Sequence, residues 1–383
     1  MSIFTALFDL FLPKTNMADP TLAPPNIAWK DLLKSLAQQK CILLIGPDLL
    51  PGENLFLELC RHTGIDPNDL PGTLPRDISM VYPKDELFLF PNDAARTRVW
   101  RKFDDFHDEW LDRLTPIYEQ IAALPFPVVI STLPDLGLRK VFERRGILHQ
   151  FSYYDYRGIP EPHDRISVPP RDLRLIFNMF GVLSDHNSLV LTHDDLFQYF
   201  CQILGDRKLG SELYIELSHA LKHATDFIFV GFQFDQWPMQ MLLRLLNPDR
   251  NKGRQYALNP TAAKETCIFF ADQFEVEFVD GITPLGFLET LSEKWAADEQ
   301  SRLGAGAPIQ QTLRDWLRQG QIARILERLR QTPAAKDADF QLSRLNSLRE
   351  AIQNGVVSSE AAFLEMNKIR LAVQDLIEKT NAA

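Results

Sequence analysis

The feature that most constrains this chain is a series of short apolar runs, each ending in turn or capping residues and most followed by residues spaced as on a helix. The runs are Cys41 to Gly46, Pro127 to Ser131, Leu175 to Phe180, Ser188 to Thr192, Phe227 to Gly231 and Cys267 to Phe270. A strand that is apolar on both faces must be covered on both faces, which is the condition of a parallel sheet flanked by crossover helices. The expected fold class is therefore α/β, with a doubly wound, mainly parallel sheet. Helix entries follow from side-chain oxygens that satisfy the free amides of a first turn. Thr132 with Asp135 and Thr192 with Asp195 have that spacing, and Asp235 stands ahead of the amphipathic stretch Trp237 to Leu246, with Pro238 tolerated in its first turn.

With 383 residues, of which 45% are hydrophobic, the chain is long enough for one large core and a satellite domain. Residues 1–26 read as an N-terminal leader: the apolar start is broken by Asp9 and is too short to span a bilayer. Residues 27–295 carry the strand signals. Within them Ala95 to Leu124 reads as a helical insertion, expected to cap the cleft. Its Arg96, Arg98 and Arg101 either meet an anion or pair along their own helix with Asp104 and Asp105. Residues 296–308 read as a linker. Residues 309–383 hold no strand signal and give about four helices, Ile309 to Gly320, Gln321 to Gln331, Phe340 to Asn354 and Ser358 to Lys379. Phe363, Ile369, Val373 and Ile377 recur at roughly helical spacing in the last, so a bundle is expected.

Charge and cysteine usage exclude several partners. A formal net charge of −10 leaves no basic face to neutralise a phosphate backbone, so nucleic acid is not an expected partner. Cys41, Cys60, Cys201 and Cys267 form no C-x-x-C pair, which encodes neither a zinc ribbon nor a disulfide framework and fits reduced thiols in the cytoplasm. His219 and His223 share a helix face but have no third ligand, so no metal is expected, and the apolar start is too short to span a bilayer, so no membrane association is expected.

In a doubly wound sheet, ligands lie beyond the carboxyl ends of the strands, beside helix N-termini. That rule selects Gly46 to Asp48, Ser131 to Asp135, Phe180-Gly181, Thr192 to Asp195 and Gly231 to Asp235. Each also has a purely structural explanation. Gly46 and Gly231 can serve only to turn strand ends, and Thr132, Thr192 and Asp235 can serve only as caps.

The ordered set Leu43 to Gly46, Val129 to Thr132 with Asp135, Asn178 to Gly181 with Ser188 to Asp195, and Phe229 to Trp237 resembles the SIR2-like domains of prokaryotic defence proteins. The resemblance implies a Rossmann-like domain that binds NAD or a related nucleotide. The cofactor-lining residues it implies are Gly46, Asp48, Thr132, Asp135, Gly181, Thr192, Gly231, Phe232 and Asp235. Active members of that family cut the bond between nicotinamide and ribose with an Asn after the second strand and a His in a His-Gly pair. Here those positions are Leu133 and Phe180. Neither side chain carries a proton or bonds a hydroxyl, and proton transfer by a positioned group supplies about 10²–10⁴-fold in rate. The family mechanism is therefore expected to be disabled, leaving His193, Asp194 and Asp48 as fallback catalytic candidates, with His186 as a further rescue group. The lack of paired cysteines points away from zinc-containing deacetylases and towards the zinc-free defence branch.

The run Leu313 to Leu329, with Leu342 to Leu348 and Glu365 to Leu371, resembles an effector-associated domain, a death-like adaptor of conflict systems. The resemblance implies a protein partner with a matching helical domain; a homo-oligomer is also expected. Three functions remain open: a nucleotide-binding effector or regulator without hydrolysis, an active NAD glycohydrolase that depletes NAD on infection, and a ligand-free scaffold. A bundle packed permanently on its own α/β domain is the alternative to recruitment.

Overall fold

The computed structural model describes residues 27–69, 73–147, 149–157, 166, 170, 174–205, 215–246, 254–258, 262–304, 309–318, 322–353 and 359–380. The leader read over residues 1–26 lies outside them. In chain order, α1 (Trp29–Ala37) leads into β1 (Cys41–Ile45), and α2 (Leu55–His62) precedes an antiparallel hairpin of β2 (Met80–Tyr82) and β3 (Leu87–Leu89). The long α3 (Asp93–Ala123) returns the chain to β4 (Val128–Ser131), followed by α4 (Gly137–Arg145), β5 (His149–Tyr153) and β6 (Arg174–Asn178). The second half runs through α5 (His193–Leu204), α6 (Ile215–His223), β7 (Asp226–Val230), α7 (Trp237–Leu246), β8 (Arg254–Leu258), α8 (Lys264–Phe274), β9 (Val276–Val279) and α9 (Pro284–Gly304). The last helices are α10 (Ile309–Arg318), α11 (Ile322–Leu329), α12 (Ala335–Gln353) and α13 (Ser359–Lys379).

Seven strands form one parallel sheet in the order β5-β6-β4-β1-β7-β8-β9. Successive side chains of a strand point to opposite faces. Leu43 and Ile45 accordingly join a core with helices α1 to α4 and α9, whereas Ile42 and Leu44 join a second core with α5 to α8. Burial on both faces is why these strands read as unbroken apolar runs. The C-terminal helices close a third core around Leu313, Ile325, Leu345, Ile369 and Val373. Their amphipathic spacing is enough to specify a bundle, and their bounds agree with the sequence to within a few residues at most ends.

Several expectations are corrected. Cys267 to Phe270 is not a strand but part of α8, because Phe270 and Phe274, four apart, both point into the second core. Ser188 to Thr192 forms no strand; it leads into the capping box of α5, in which the Thr192 hydroxyl accepts from the Asp195 amide. Leu175 to Phe180 is extended only to Asn178. The stretch Ala95 to Leu124 is no separate cap. It is the continuous helix α3, whose Phe103, Trp110, Ile117 and Ile121 belong to the core below the sheet. Ala296 to Gly304, read as linker, instead continues α9. Thr132 caps no helix, since α4 starts only at Gly137, whose amide donates to Asp135 at 2.7 Å. Asp235 serves the entry of α8 rather than α7: its carboxylate accepts from the Ala263 amide at 2.8 Å and from the Thr266 hydroxyl.

The end of α3 is fixed to the sheet by Arg174, a buried residue at the start of β6. Its guanidinium donates to the carbonyls of Leu124 (2.6 Å), Phe126 (3.1 Å), Ala122 (3.2 Å) and Ile121 (3.4 Å) and lies 4.5 Å from the Phe142 ring centre. The last carbonyls of a helix have no partner within it, and a planar fork of donors satisfies them here. Arg174→Met keeps the volume but orphans these carbonyls, so urea unfolding is expected to show a loss of at least about 3 kcal/mol.

Candidate functional site

In this strand order the chain leaves β1 towards β4 on one side and later returns to β7 on the other, so the switch point lies between β1 and β7. The turns at those two strand ends touch. The Gly46 amide donates to the Val230 carbonyl at 2.9 Å and the Asp48 amide to the Gly231 carbonyl at 3.0 Å. A Cβ on Gly46 would stand 2.2 Å from the Gly231 oxygen, and one on Gly231, at φ +66°, would stand 2.6 Å from the Asp48 carbonyl carbon. Both glycines are therefore explained by close approach of the backbone, and these amides are already engaged. Thr132 extends the same seam from β4, its amide donating to the Ile45 carbonyl at 3.0 Å.

Above the seam lies a cleft of two chambers. The outer one, about 470 Å³, is lined by Asp48, Glu53, Asn54, Glu86, Gln233 and Asp235 among others. The inner one, about 170 Å³, is mostly apolar and includes Phe103, His107, Thr132, Leu133, Phe180 and Met239. Glu86, Gln233 and Gln236 line both and mark their junction. Glu86 sits in the turn of the β2–β3 hairpin at φ +56°, and its carboxylate accepts from Asn54 at 2.9 Å and from Gln233 at 3.0 Å. Burial raises its pKa, and the Asn54 and Gln233 hydrogen bonds oppose the rise. The hairpin is held down by the Phe88 amide on the Leu191 carbonyl (2.8 Å) and by Asp85 beside His193 Nε2 (3.1 Å).

The cleft thus brings together Asp48, Asp235, Thr132, Leu133 and Phe180 from the residues singled out in the sequence. Leu133 is buried in the core below the sheet, and Phe180 packs 5.2 Å from the Tyr199 ring. The others line neither chamber. His193 and Asp194 are exposed on the first turn of α5. Phe232 is buried against Phe229 and Phe234, and His186 stacks on Trp100. Gly181, at φ +84°, makes a tight turn against Ser188. Asp135 is buried beneath, bonded to the Tyr118 hydroxyl at 2.9 Å; burial raises its pKa against these hydrogen bonds.

Asp195 is the structural centre of the flank. Its carboxylate meets Arg96 (2.5 Å), the Tyr156 hydroxyl (2.7 Å), Arg157 and the amides of Leu191 and Thr192. Burial alone would raise its pKa, but the cations and hydrogen bonds outweigh burial and hold it below the usual carboxylate value. Arg96 therefore pairs across elements rather than along α3, and Arg98 pairs with Asp77. Sequence reasoning missed Glu86 and His107 in the cleft and gave no role to Gln233, which lies within the selected turn Gly231 to Asp235. No local sequence signal marks the first, whose left-handed turn ahead of β3 is visible only in the structure. His219 and His223 lie exposed on α6, and no group of three or more His, Cys, Asp or Glu is placed to hold a metal among the described residues. No described helix is long and apolar enough to cross a membrane.

A parallel, doubly wound sheet with helices on both faces and a cleft beyond its strand ends defines a Rossmann-like α/β class. Within that class, the chain carries a SIR2-like domain, matched over residues 127–277, and an effector-associated domain 11, matched over residues 308–381. The first match begins just before β4 and ends in β9; the second spans the bundle. No curated protein matches the chain. Together the two domains support an effector of a defence or conflict system in general.

His107 allows a test of the site's electrostatics. Burial lowers its pKa from 6.5 to about 4, against the opposing charge of Asp108. A depressed folded pKa gives stability that is complete above the unfolded value and lost as pH falls towards the folded one. From about pH 7 to about pH 4.5 the α/β domain is expected to lose about 2–3 kcal/mol through this residue. Thermal melts of His107→Phe should lack that component of the pH slope.

Proposed function

We propose that this chain is a cytoplasmic SIR2-like effector or regulator of a prokaryotic antiphage or conflict system, which recognises NAD or a related nucleotide without cleaving it. The observation that carries this reading is the inner chamber. Where active relatives of the resembled family hold an amide and an imidazole, Leu133 and Phe180 present only carbon to the cleft. With neither hydrogen bond nor proton available from those positions, the ribose and an attacking water are left without the groups that the family mechanism uses.

The fit to a dinucleotide is uneven. The inner chamber suits an uncharged ring. Among the described residues no Lys or Arg lines the outer chamber, whereas the carboxylates of Asp48, Glu86 and Asp235 do, and Glu53 is paired with Arg113. A pyrophosphate does not fit there with the hairpin in this position. Displacement of Glu86 with its hairpin, or a relative of NAD with less phosphate charge, relieves that repulsion. The same acidic lining favours a second reading, a scaffold that binds no nucleotide.

The C-terminal domain is proposed to recruit the chain to a protein partner bearing a matching helical domain, and the chain to self-associate. Phe340, Leu364 and Leu371 support an adhesive bundle, at 61%, 56% and 61% exposure. The alternative of a bundle docked on its own domain has the contact of Glu299 in α9, which accepts from Trp316 (3.0 Å) and Arg324 (2.9 Å).

Full-length protein incubated with NAD is expected to melt at a higher temperature in a saturable manner, because a ligand that binds only the native state raises stability by RT ln(1+[L]/Kd). Chromatography of the same mixtures should find no turnover to nicotinamide. Multiple-turnover release would refute the non-hydrolytic reading, and an unchanged melt at saturating NAD would favour the scaffold.

A further inference from the structure

Helix α5 packs on the side of the sheet away from α1 to α4 and turns an uncharged, partly apolar face to solvent. Phe197, Cys201 and Leu204 recur at helical spacing and form one stripe along that face. Phe197 is 71% and Leu204 54% exposed. Trp237 of α7, 46% exposed, flanks the stripe with its ring 5.4 Å from that of Phe200. Inward, the same helix already buries Leu196, Tyr199, Phe200 and Ile203, so the outer stripe adds nothing to the core. Contiguous apolar surface with a polar rim marks a protein interface.

We propose that this face pairs with the same face of a second copy of the chain, α5 against α5, antiparallel about a twofold axis. Charge selects that occupant. At a formal net charge of −10, two copies repel each other except through a face that carries no like charge. From Phe197 to Leu204 the helix holds no Asp, Glu, Lys or Arg, and the exposed Gln198 and Gln202 border the stripe. A twofold axis sets a patch against itself. With the helices antiparallel, Phe197 of one copy meets Leu204 of the other, and glutamine faces glutamine, each amide offering both a donor and an acceptor. The exposed Asp194 lies at the start of α5, so it falls at an outer end of the paired stripe, about 20 Å from its twin. The free parts of Phe197, Leu204 and Trp237 amount to on the order of 300 Å² of apolar surface per copy. That is the centre of an interface whose usual size is about 800 Å² per partner. The pairing rests on the proposal that the chain self-associates and gives it a surface, but it does not depend on what the cleft binds. It also ties two clefts together, because α5 contributes Leu196 to the inner chamber and holds the hairpin through His193.

Cys201 lies near the midpoint of the stripe, so the pairing brings the two Cys201 thiols to the axis. Cys201 is exposed, whereas Cys41 and Cys60 are buried and Cys267 is half-buried. Diamide, which withdraws one hydrogen from each thiol, should therefore give a disulfide-linked dimer of the full chain, absent in Cys201→Ser and in Phe197→Glu. Sedimentation velocity should show the dimer weakened about tenfold or more by Phe197→Glu. Adding Leu204→Lys to Phe197→Glu should restore the crosslink, since the antiparallel register sets the two charges against each other across the axis. Leu371→Glu, on the exposed surface of the bundle, should keep it. No Cys201-linked dimer of the natural chain, or a folded Phe197→Glu that keeps both crosslink and dimer, overturns the assignment. If the natural chain dimerises without a Cys201 crosslink and Leu371→Glu dissolves that dimer, self-association stands and this surface fails. A natural chain that stays monomeric at all concentrations refutes both.

Discussion

The turns at the carboxyl ends of β1 and β7 meet backbone to backbone, Gly46 against Gly231, and the rest of the site depends on that contact. A doubly wound sheet offers its crevice where the strand order reverses. Here the floor of that crevice is sealed by hydrogen bonds between the two turns and by the Thr132 amide on Ile45. Space for a ligand is therefore displaced outward, into chambers roofed by the β2–β3 hairpin and walled by α2, α3, α5 and α7. No side chain larger than hydrogen fits at either glycine, so their presence follows from the fold whatever the cleft binds.

Two polar devices hold the walls in place. Arg174 ties the last turn of α3 to the sheet, and Asp195 gathers Arg96, Tyr156, Arg157 and two amides of its own helix entry. Both are buried charges whose hydrogen-bonding capacity is met, the condition under which such groups are tolerated in a low-dielectric interior. The hairpin bears Glu86 between the chambers and is fastened to α5 through Leu191 and His193. A polar outer space and a mostly apolar inner one thus meet at the Glu86 carboxylate, Gln233 and Gln236. A neutral ring and an anionic ligand encounter opposite conditions within one cleft.

Much of this architecture was legible. The strands β1, β4, β6 and β7 lie at the sheet's centre, where burial on both faces writes an apolar run into the sequence. Strands β5 and β8 were not seen, because His149, Gln150, Arg254 and Gln255 interrupt their runs. Cys267 to Phe270 misled, since four apolar residues fit a buried helix as well as a strand and periodicity alone does not separate them. The capping box at Thr192 was readable from local spacing, but the partners of Asp235 and Asp195 were not. Those come from α8, α3 and the segment after β5, far away in sequence. His107 was invisible for a related reason. A histidine on a helix face acquires meaning only from neighbours in space that are distant in sequence.

In the proposed reading, two carbon side chains, Leu133 and Phe180, leave a SIR2-like cleft unable to break the bond between nicotinamide and ribose. The most direct measurement compares nicotinamide release from NAD by the full chain and by its Leu133→Asn, Phe180→His double variant. No catalytic release is expected from the natural chain, and time-dependent release is expected from the double variant. Turnover by the natural chain, at a rate that the two substitutions leave unchanged, would contradict that reading.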